Sequence, residues 1–254
     1  MTRDGCGETK GCLFKPAGCD PMRDCTQSII FYVSGPNMLM IQLSATSLVP
    51  PPPLQYMAVA FSKDLAMGDD YVAECVMSPN ANEEFASTEV FLSYNIGKSN
   101  DRTSLNSTEN QVMIRDVQGE VLDSRLHCQF SLTIIPQMPT KGGRLWNLNH
   151  KFYVFGATGS SEADHINVHD LNMDSHFYPL VSGRRINPSV IGEQLYELPK
   201  PYKSPPPPPI PLTTTTQTPT VITVTHNNSA DRLPYFYVNL YITILIILLS
   251  KARL

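Results

Sequence analysis

Charge is scarce in this sequence. Asp, Glu, Lys and Arg make up 17% of its 254 residues, and the formal net charge is −4. No basic run or stripe is present to neutralise a phosphate backbone, which excludes nucleic acid as a partner. The common catalytic motifs are missing as well. There is no G-x-S-x-G, no H-E-x-x-H and no phosphate-cradling glycine loop, and with them go the usual hydrolase, metalloprotease and nucleotide-binding chemistries. No cysteines stand two to four residues apart as a zinc knuckle requires. C-x-x-C-H is also absent, so covalent haem attachment is excluded. A sustained 3.6-residue apolar stripe is lacking, which argues against long amphipathic helices. Finally, "MTRDGCGETKGC" has no charged region followed by an apolar one, so no signal peptide is visible and the start is expected to be incomplete.

Proline, by contrast, is abundant and unevenly placed. Nine of the 22 prolines fall between Pro199 and Pro219, which marks a linker and not a core. The six cysteines are Cys6, Cys12, Cys19, Cys25, Cys75 and Cys128. An even number with no zinc spacing reads as a disulfide framework formed in an oxidising compartment. Fifteen pairings are open to six cysteines. Asn106-Ser107-Thr108 and Asn227-Asn228-Ser229 are acceptor sequons for N-glycosylation. The run "TTTTQTPTVITVT" reads as an O-glycosylated, disordered stalk.

Three regions follow. Residues 6–195 are the folded domain, 196–233 the Pro/Thr-rich stalk and 234–250 an apolar tail. Within the domain, short runs of period-two or β-branched character recur at 28–33, 38–45, 57–62, 71–77, 88–96, 111–117, 128–135 and 151–157. Gly35-Pro36-Asn37 joins the first two as a tight connection, and "LVPPPPL" is a loop because proline cannot donate to a ladder. Eight or nine such strands predict an all-β, antiparallel, immunoglobulin-like sandwich. The tail "YFYVNLYITILIILLS" is uncharged. As a helix it rises about 24 Å, slightly less than a hydrocarbon core of about 30 Å. Tyrosines at one end and Lys251 and Arg253 at the other suit a single transmembrane span. A glycosylphosphatidylinositol signal, cleaved near Asn228-Ser229-Ala230, is the alternative; its spacer is short and its tail ends in charges.

The stretch "KDLAMGDD" reads as a turn, since Asp and Gly favour turn conformations. Asp69 and Asp70 lack the alternating oxygen ligands of a calcium loop, and a solvated turn accounts for them. Nothing about a turn accounts for Met67, a long thioether, except packing against the sandwich edge. A second unusual segment, "EADHINVHDLNMDSHF", holds His165, His169 and His176. Taken alone it is a polar surface loop. Taken with Met67 it offers the Met/His pair that serves as axial ligands of haem.

Several segments resemble the DOMON domain of the ferric-chelate reductase and stromal-cell-derived receptor group. They are "CGETKGCLFKPAGCDPMRDC", "YMAVAFSKDLAMGDDYVAECV", "CQF" at 128–130 and "FYVFGATGSSEADHINVHDLNMDSHFYPL". The resemblance covers about residues 6–180. It implies a β-sandwich that can hold haem b between a methionine and a histidine. On this chain Met67 falls on the methionine of the M-G-D-D turn and His169 on the histidine of the later loop, with His165 and His176 as alternatives. Phe61 and Tyr71 are expected to help shape the pocket. The family's reductases also carry a cytochrome b561 region, and many carry a reeler domain; the 254 residues contain neither. The resemblance therefore implies the domain and its ligand chemistry, not ferric reductase activity in this chain.

Two functions are in view. One is a membrane-tethered, extracellular haem-b domain that exchanges single electrons with a redox partner through Met67 and His169. The other is a haem-free cell-surface recognition module that binds a sugar or protein ligand through its loops.

Overall fold

Period-two alternation along the strands decides the architecture. A computed structural model describes residues 1–79, 87–192 and 196–207. Asn227, the Thr-rich run and the apolar tail lie outside the described residues. Among the described residues no helix is long and apolar enough to cross a membrane. Met1–Pro206 forms one compact unit, taking in both flanks of the expected 6–195 domain.

The described strands are β1 (Gly11–Lys15), β2 (Gln27–Gly35), β3 (Met38–Thr46), β4 (Gln55–Ser62), β5 (Tyr71–Met77) and β6 (Glu89–Ile96). They continue with β7 (Ser99–Arg102), β8 (Ile114–Leu122), β9 (Arg125–Thr133), β10 (Tyr153–Ser160) and β11 (Leu180–Val181). A five-stranded sheet has the order β1-β2-β3-β9-β8 and a six-stranded sheet the order β11-β10-β4-β5-β6-β7. Every strand pairing within them is antiparallel. Inward residues of both sheets, among them Phe31, Ile41, Val59, Phe61, Tyr71, Phe130 and Val154, form a single core. The expected antiparallel sandwich is therefore present.

The six cysteines pair as Cys6–Cys12, Cys19–Cys25 and Cys75–Cys128. The first two close small N-terminal loops. The third joins β5 to β9 through the core and so links the two sheets. Between β2 and β3, Asn37 takes a left-handed conformation (φ 59°) in the expected tight connection, which Asn tolerates better than most residues.

The sequence pattern did not single out β1, β7 or β11, and it misplaced one element. Residues 111–117 were expected to be a strand, but a helix α1 (Ser107–Met113) occupies the first half and β8 begins only at Ile114. The cause lies upstream. The Asn106 side chain accepts from the Glu109 amide at 2.9 Å, and Glu109 accepts from the Asn106 amide at 2.9 Å. This reciprocal capping box starts a helix, and Asn106, the expected glycosylation site, is its exposed N-cap.

β4 and β5 are buried along their whole length. Their inward residues belong to the main core. Their outward residues Tyr56, Ala58, Ala60, Val72 and Val76 form a second apolar layer with Phe91, Phe155, Ala157 and Ile166. A sheet buried on both faces needs a cover on the outside, and the segment that follows β10 provides part of it.

Candidate functional site

The second apolar layer is the floor of a cavity of about 410 Å3, within the usual range of about 300–1,000 Å3 for cofactor and ligand sites. Ala58, Ala60, Val72, Phe155 and Ala157 line it. Small alanines on adjacent strands leave a broad, shallow apolar surface. Asn95, Lys98, Ser99 and Asn100 line it from the β6–β7 hairpin.

Two loops form its flanks. The first is the β4–β5 turn, which contributes Leu65 and Met67. Asp64 opens the turn by accepting from the Ala66 amide at 2.8 Å, the short-range bond that makes Asp a turn residue. Asp70 closes it. Its carboxylate accepts from the Gly68 amide at 2.8 Å and from Asn95 Nδ2 at 3.0 Å. The Asp69 amide donates to the Asn95 carbonyl at 2.9 Å, and the Asn95 amide to the Asp70 carbonyl at 3.0 Å. Asp70 is fully buried, so the reading of both carboxylates as solvated holds for Asp69 alone. Gly68 has φ 137°, and a Cβ there would lie 3.3 Å from the Gly97 backbone. The turn is thus clamped to the β6–β7 hairpin, and Met67 projects from it with 40% of its surface exposed.

The second flank is the histidine loop after β10. His165, Ile166, Asn167, Val168 and His169 line the same cavity. A small reverse structure holds the near end, where the Asn167 amide donates to the Ser160 carbonyl at 3.0 Å and Ser161 bridges Ile166. Lys15 holds the far end, donating Nζ to the carbonyls of Ser175 at 3.0 Å and Tyr178 at 2.6 Å. Burial lowers the Lys15 pKa, and Asp170 acts against that shift.

Met67 and His169 therefore face one cavity from opposite loops, and His165 shares it. His176 is exposed and is not among the lining residues. His169 Nδ1 lies 2.9 Å from the Asp170 carbonyl. A carbonyl only accepts, so Nδ1 carries a proton, and of the two neutral tautomers the contact selects the one with its lone pair on Nε2. His165 Nδ1 lies 2.7 Å from the Asp164 carboxylate, and that contact holds the Asp164 pKa low.

Phe61 and Tyr71 do not shape the cavity. Both are fully buried in the main core, where their rings stack with centroids 6.4 Å apart and Tyr71 stacks on Trp146 at 6.3 Å. The reason is strand parity. Positions 59, 61, 71 and 73 point inward, so the outward positions 58, 60 and 72 meet the cavity. The alanines at 58 and 60 were the readable signal for the floor.

Sequence reasoning also missed a buried ion pair in the outward layer. The Glu74 side chain has no exposed surface and receives Arg102 Nε at 3.2 Å and Nη2 at 3.1 Å. Burial raises the Glu74 pKa, with the Ser93 hydrogen bond and Arg102 opposing. Residues 28 apart in sequence gave no local sign of the pairing.

No family model matches the chain. Its relatives are ferric-chelate reductase 1 proteins. The homolog of Drosophila melanogaster is 26% identical over 66% of this chain and 24% of its own length. The Bos taurus protein is 25% identical over 65% of this chain and 24% of its own length, and the Homo sapiens protein 24% identical over the same shares. The chain thus spans about a quarter of the length of the curated relatives it matches. Among solved structures, the cytochrome domain of Myriococcum thermophilum cellobiose dehydrogenase aligns over 73% of this chain and 85% of its own, with a TM-score of 0.43 and 10% identity. The relatives fall in the ferric-chelate reductase group that the motifs resemble.

Proposed function

We propose that this domain binds haem b in the cavity outside the six-stranded sheet and exchanges single electrons through it. One observation carries the reading: a methionine and a histidine from two distant turns line one apolar cavity. Met67 Sδ and His169 Nε2 would hold the haem iron, with His165 as the alternative. The donor set fits the group. A thioether and a neutral imidazole are the axial ligands that favour the ferrous state and raise the potential. The Asp170 carbonyl fixes the His169 tautomer, the usual role of a partner behind a ligating imidazole.

Bound haem would supply one-electron exchange between ferric and ferrous iron. The residues of the chain would do the rest. Ala58, Ala60, Val72, Phe155 and Ala157 would exclude water from one face. Lys98, exposed at the cavity, would give an ammonium to a propionate carboxylate. Three disulfides fit an oxidising compartment. We place the domain outside the cell, tethered by the proline-rich stalk and the apolar tail. Ferric reductase activity belongs to the names of longer relatives and is not proposed for this chain alone.

The test is haem loading of the full chain. Titration should quench the fluorescence of Trp146, the single tryptophan, and give the sharp ferrous α-band of a six-coordinate low-spin haem. Met67→Ala should abolish that low-spin spectrum, and His169→Ala should do so where His165→Ala does not. An unchanged spectrum in Met67→Ala would refute the ligand assignment. Glycan binding by a chain that takes up no haem would favour the recognition module instead.

A further inference from the structure

We propose that Arg102 is a positioning residue that holds the histidine loop across the outside of the six-stranded sheet, and so sets where His165 and His169 stand over the floor. The inference rests on the haem reading for its functional meaning, but its structural half stands on the contacts of Arg102 alone.

Sheet order makes Arg102 unusual. The histidine loop leaves β10, near one edge of the six-stranded sheet, whereas Arg102 ends β7 at the opposite edge. Yet Arg102 Nη1 donates to the Ala163 carbonyl at 2.7 Å. The loop therefore extends over the outward face, and this bond ties its tip to a side chain that reaches in from the far edge across β6 to β5. Its remaining bonds near the tip are local or return to the near side: Glu162 to His165, Asn167 to Ser160, and Ser161 to Leu54.

The guanidinium is fixed on three sides. Nε and Nη2 donate to the buried Glu74 carboxylate. The group also lies 3.8 Å from the centroid of the Phe91 ring, the stacking for which a planar cation is suited. Nη1 is the remaining corner, and it points to Ala163. A guanidinium can serve carboxylate, ring and carbonyl at once because its donors are splayed in one plane. A lysine ammonium is a point charge and cannot. Burying Glu74 is costly unless it is paired. An apolar pair would have filled the layer at lower cost, and the distinct product of the ion pair is the third bond, to the loop.

The experiment compares the full chain with Arg102→Lys, which keeps a cation for Glu74. A second variant, Glu74→Met/Arg102→Leu, removes both charges and keeps the layer apolar, so folding does not depend on the ion pair. Hydrogen exchange is read without haem. The amides of Glu162 and Asn167 should exchange at least tenfold faster in both variants, with those of β4 and β5 unchanged. Haem affinity should fall about tenfold, and the ferrous spectrum should become a high-spin and low-spin mixture. Wild-type exchange at Glu162 and Asn167 in both variants would overturn the proposal, whatever the haem result. If wild-type chain takes up no haem while loop exchange accelerates, the haem reading fails and the role of Arg102 in holding the loop survives.

Discussion

Glu74 meets two opposed demands. Its carboxylate has no exposed surface, and burial raises its pKa more than Ser93 and Arg102 lower it. The folded protein therefore holds this proton to higher pH than the unfolded chain, whose Glu titrates near 4.5. The sign follows from linkage: stability from this group is complete below the unfolded value and is lost as pH rises through the folded one. Glu109, Asp164 and Asp170 are shifted downward, so their contribution is lost in the opposite direction, as pH falls below about 4. Subtracting one protein from another separates the two trends. Urea midpoints of wild type should drop relative to Glu74→Gln as pH rises above about 4.5, because Gln mimics the neutral acid and does not titrate. Parallel midpoint curves would show that Arg102 fully compensates the buried charge.

The β4–β5 turn shows what a short segment contributes once its neighbours are known. Gly68 sits at a backbone angle few side chains adopt, and its Cα faces Gly97 of the next hairpin. Gly68→Ala should destabilise the fold by more than about 1 kcal/mol and weaken haem uptake, because the turn that carries Met67 must move. Urea unfolding and the ferrous spectrum check the two effects separately. A variant with both unchanged would mean that the clamp does not position Met67. Some of this was legible beforehand. "MGDD" announced a turn, and Met67 stood out as a residue the turn did not need. The strands from 28 to 96 were readable to within a residue or two, since alternation is local. The burial of Asp70 was not readable, because its partner Asn95 comes from another strand. Nor was the histidine register: His165 and His169 both reach the cavity. The helix at Ser107–Met113 was missed although Asn106 and Glu109 spelled its cap, because the apolar run beyond it suggested a strand. The floor was misassigned for a geometric reason. Bulky Phe61 and Tyr71 drew attention, whereas a flat ligand needs the small residues of opposite parity beside them.

At the scale of the whole molecule, three disulfides of similar chemistry contribute unequally. In the loop-closure account, a cross-link stabilises by restricting the unfolded chain, and more so for a longer loop. Cys6–Cys12 and Cys19–Cys25 each span a separation of 6, whereas Cys75–Cys128 spans 53. The same relation gives about 2.4 kcal/mol for each short loop and about 4 kcal/mol for the long one. The long cross-link also ties opposite sheets, between strands whose side chains fill the main core, while the short ones secure only the N-terminal segment. Cys75→Ala/Cys128→Ala should therefore lower the unfolding free energy by about 4 kcal/mol, read from urea unfolding curves with the slope fitted for each variant. Cys6→Ala/Cys12→Ala should cost about half as much. The cavity lies on the far side of the six-stranded sheet from the core that Cys75 crosses. At urea concentrations where the chain is still folded, haem uptake should survive either deletion. Equal losses from the two double variants would mean that the sandwich does not depend on its central cross-link, and that packing between the sheets already fixes their alignment.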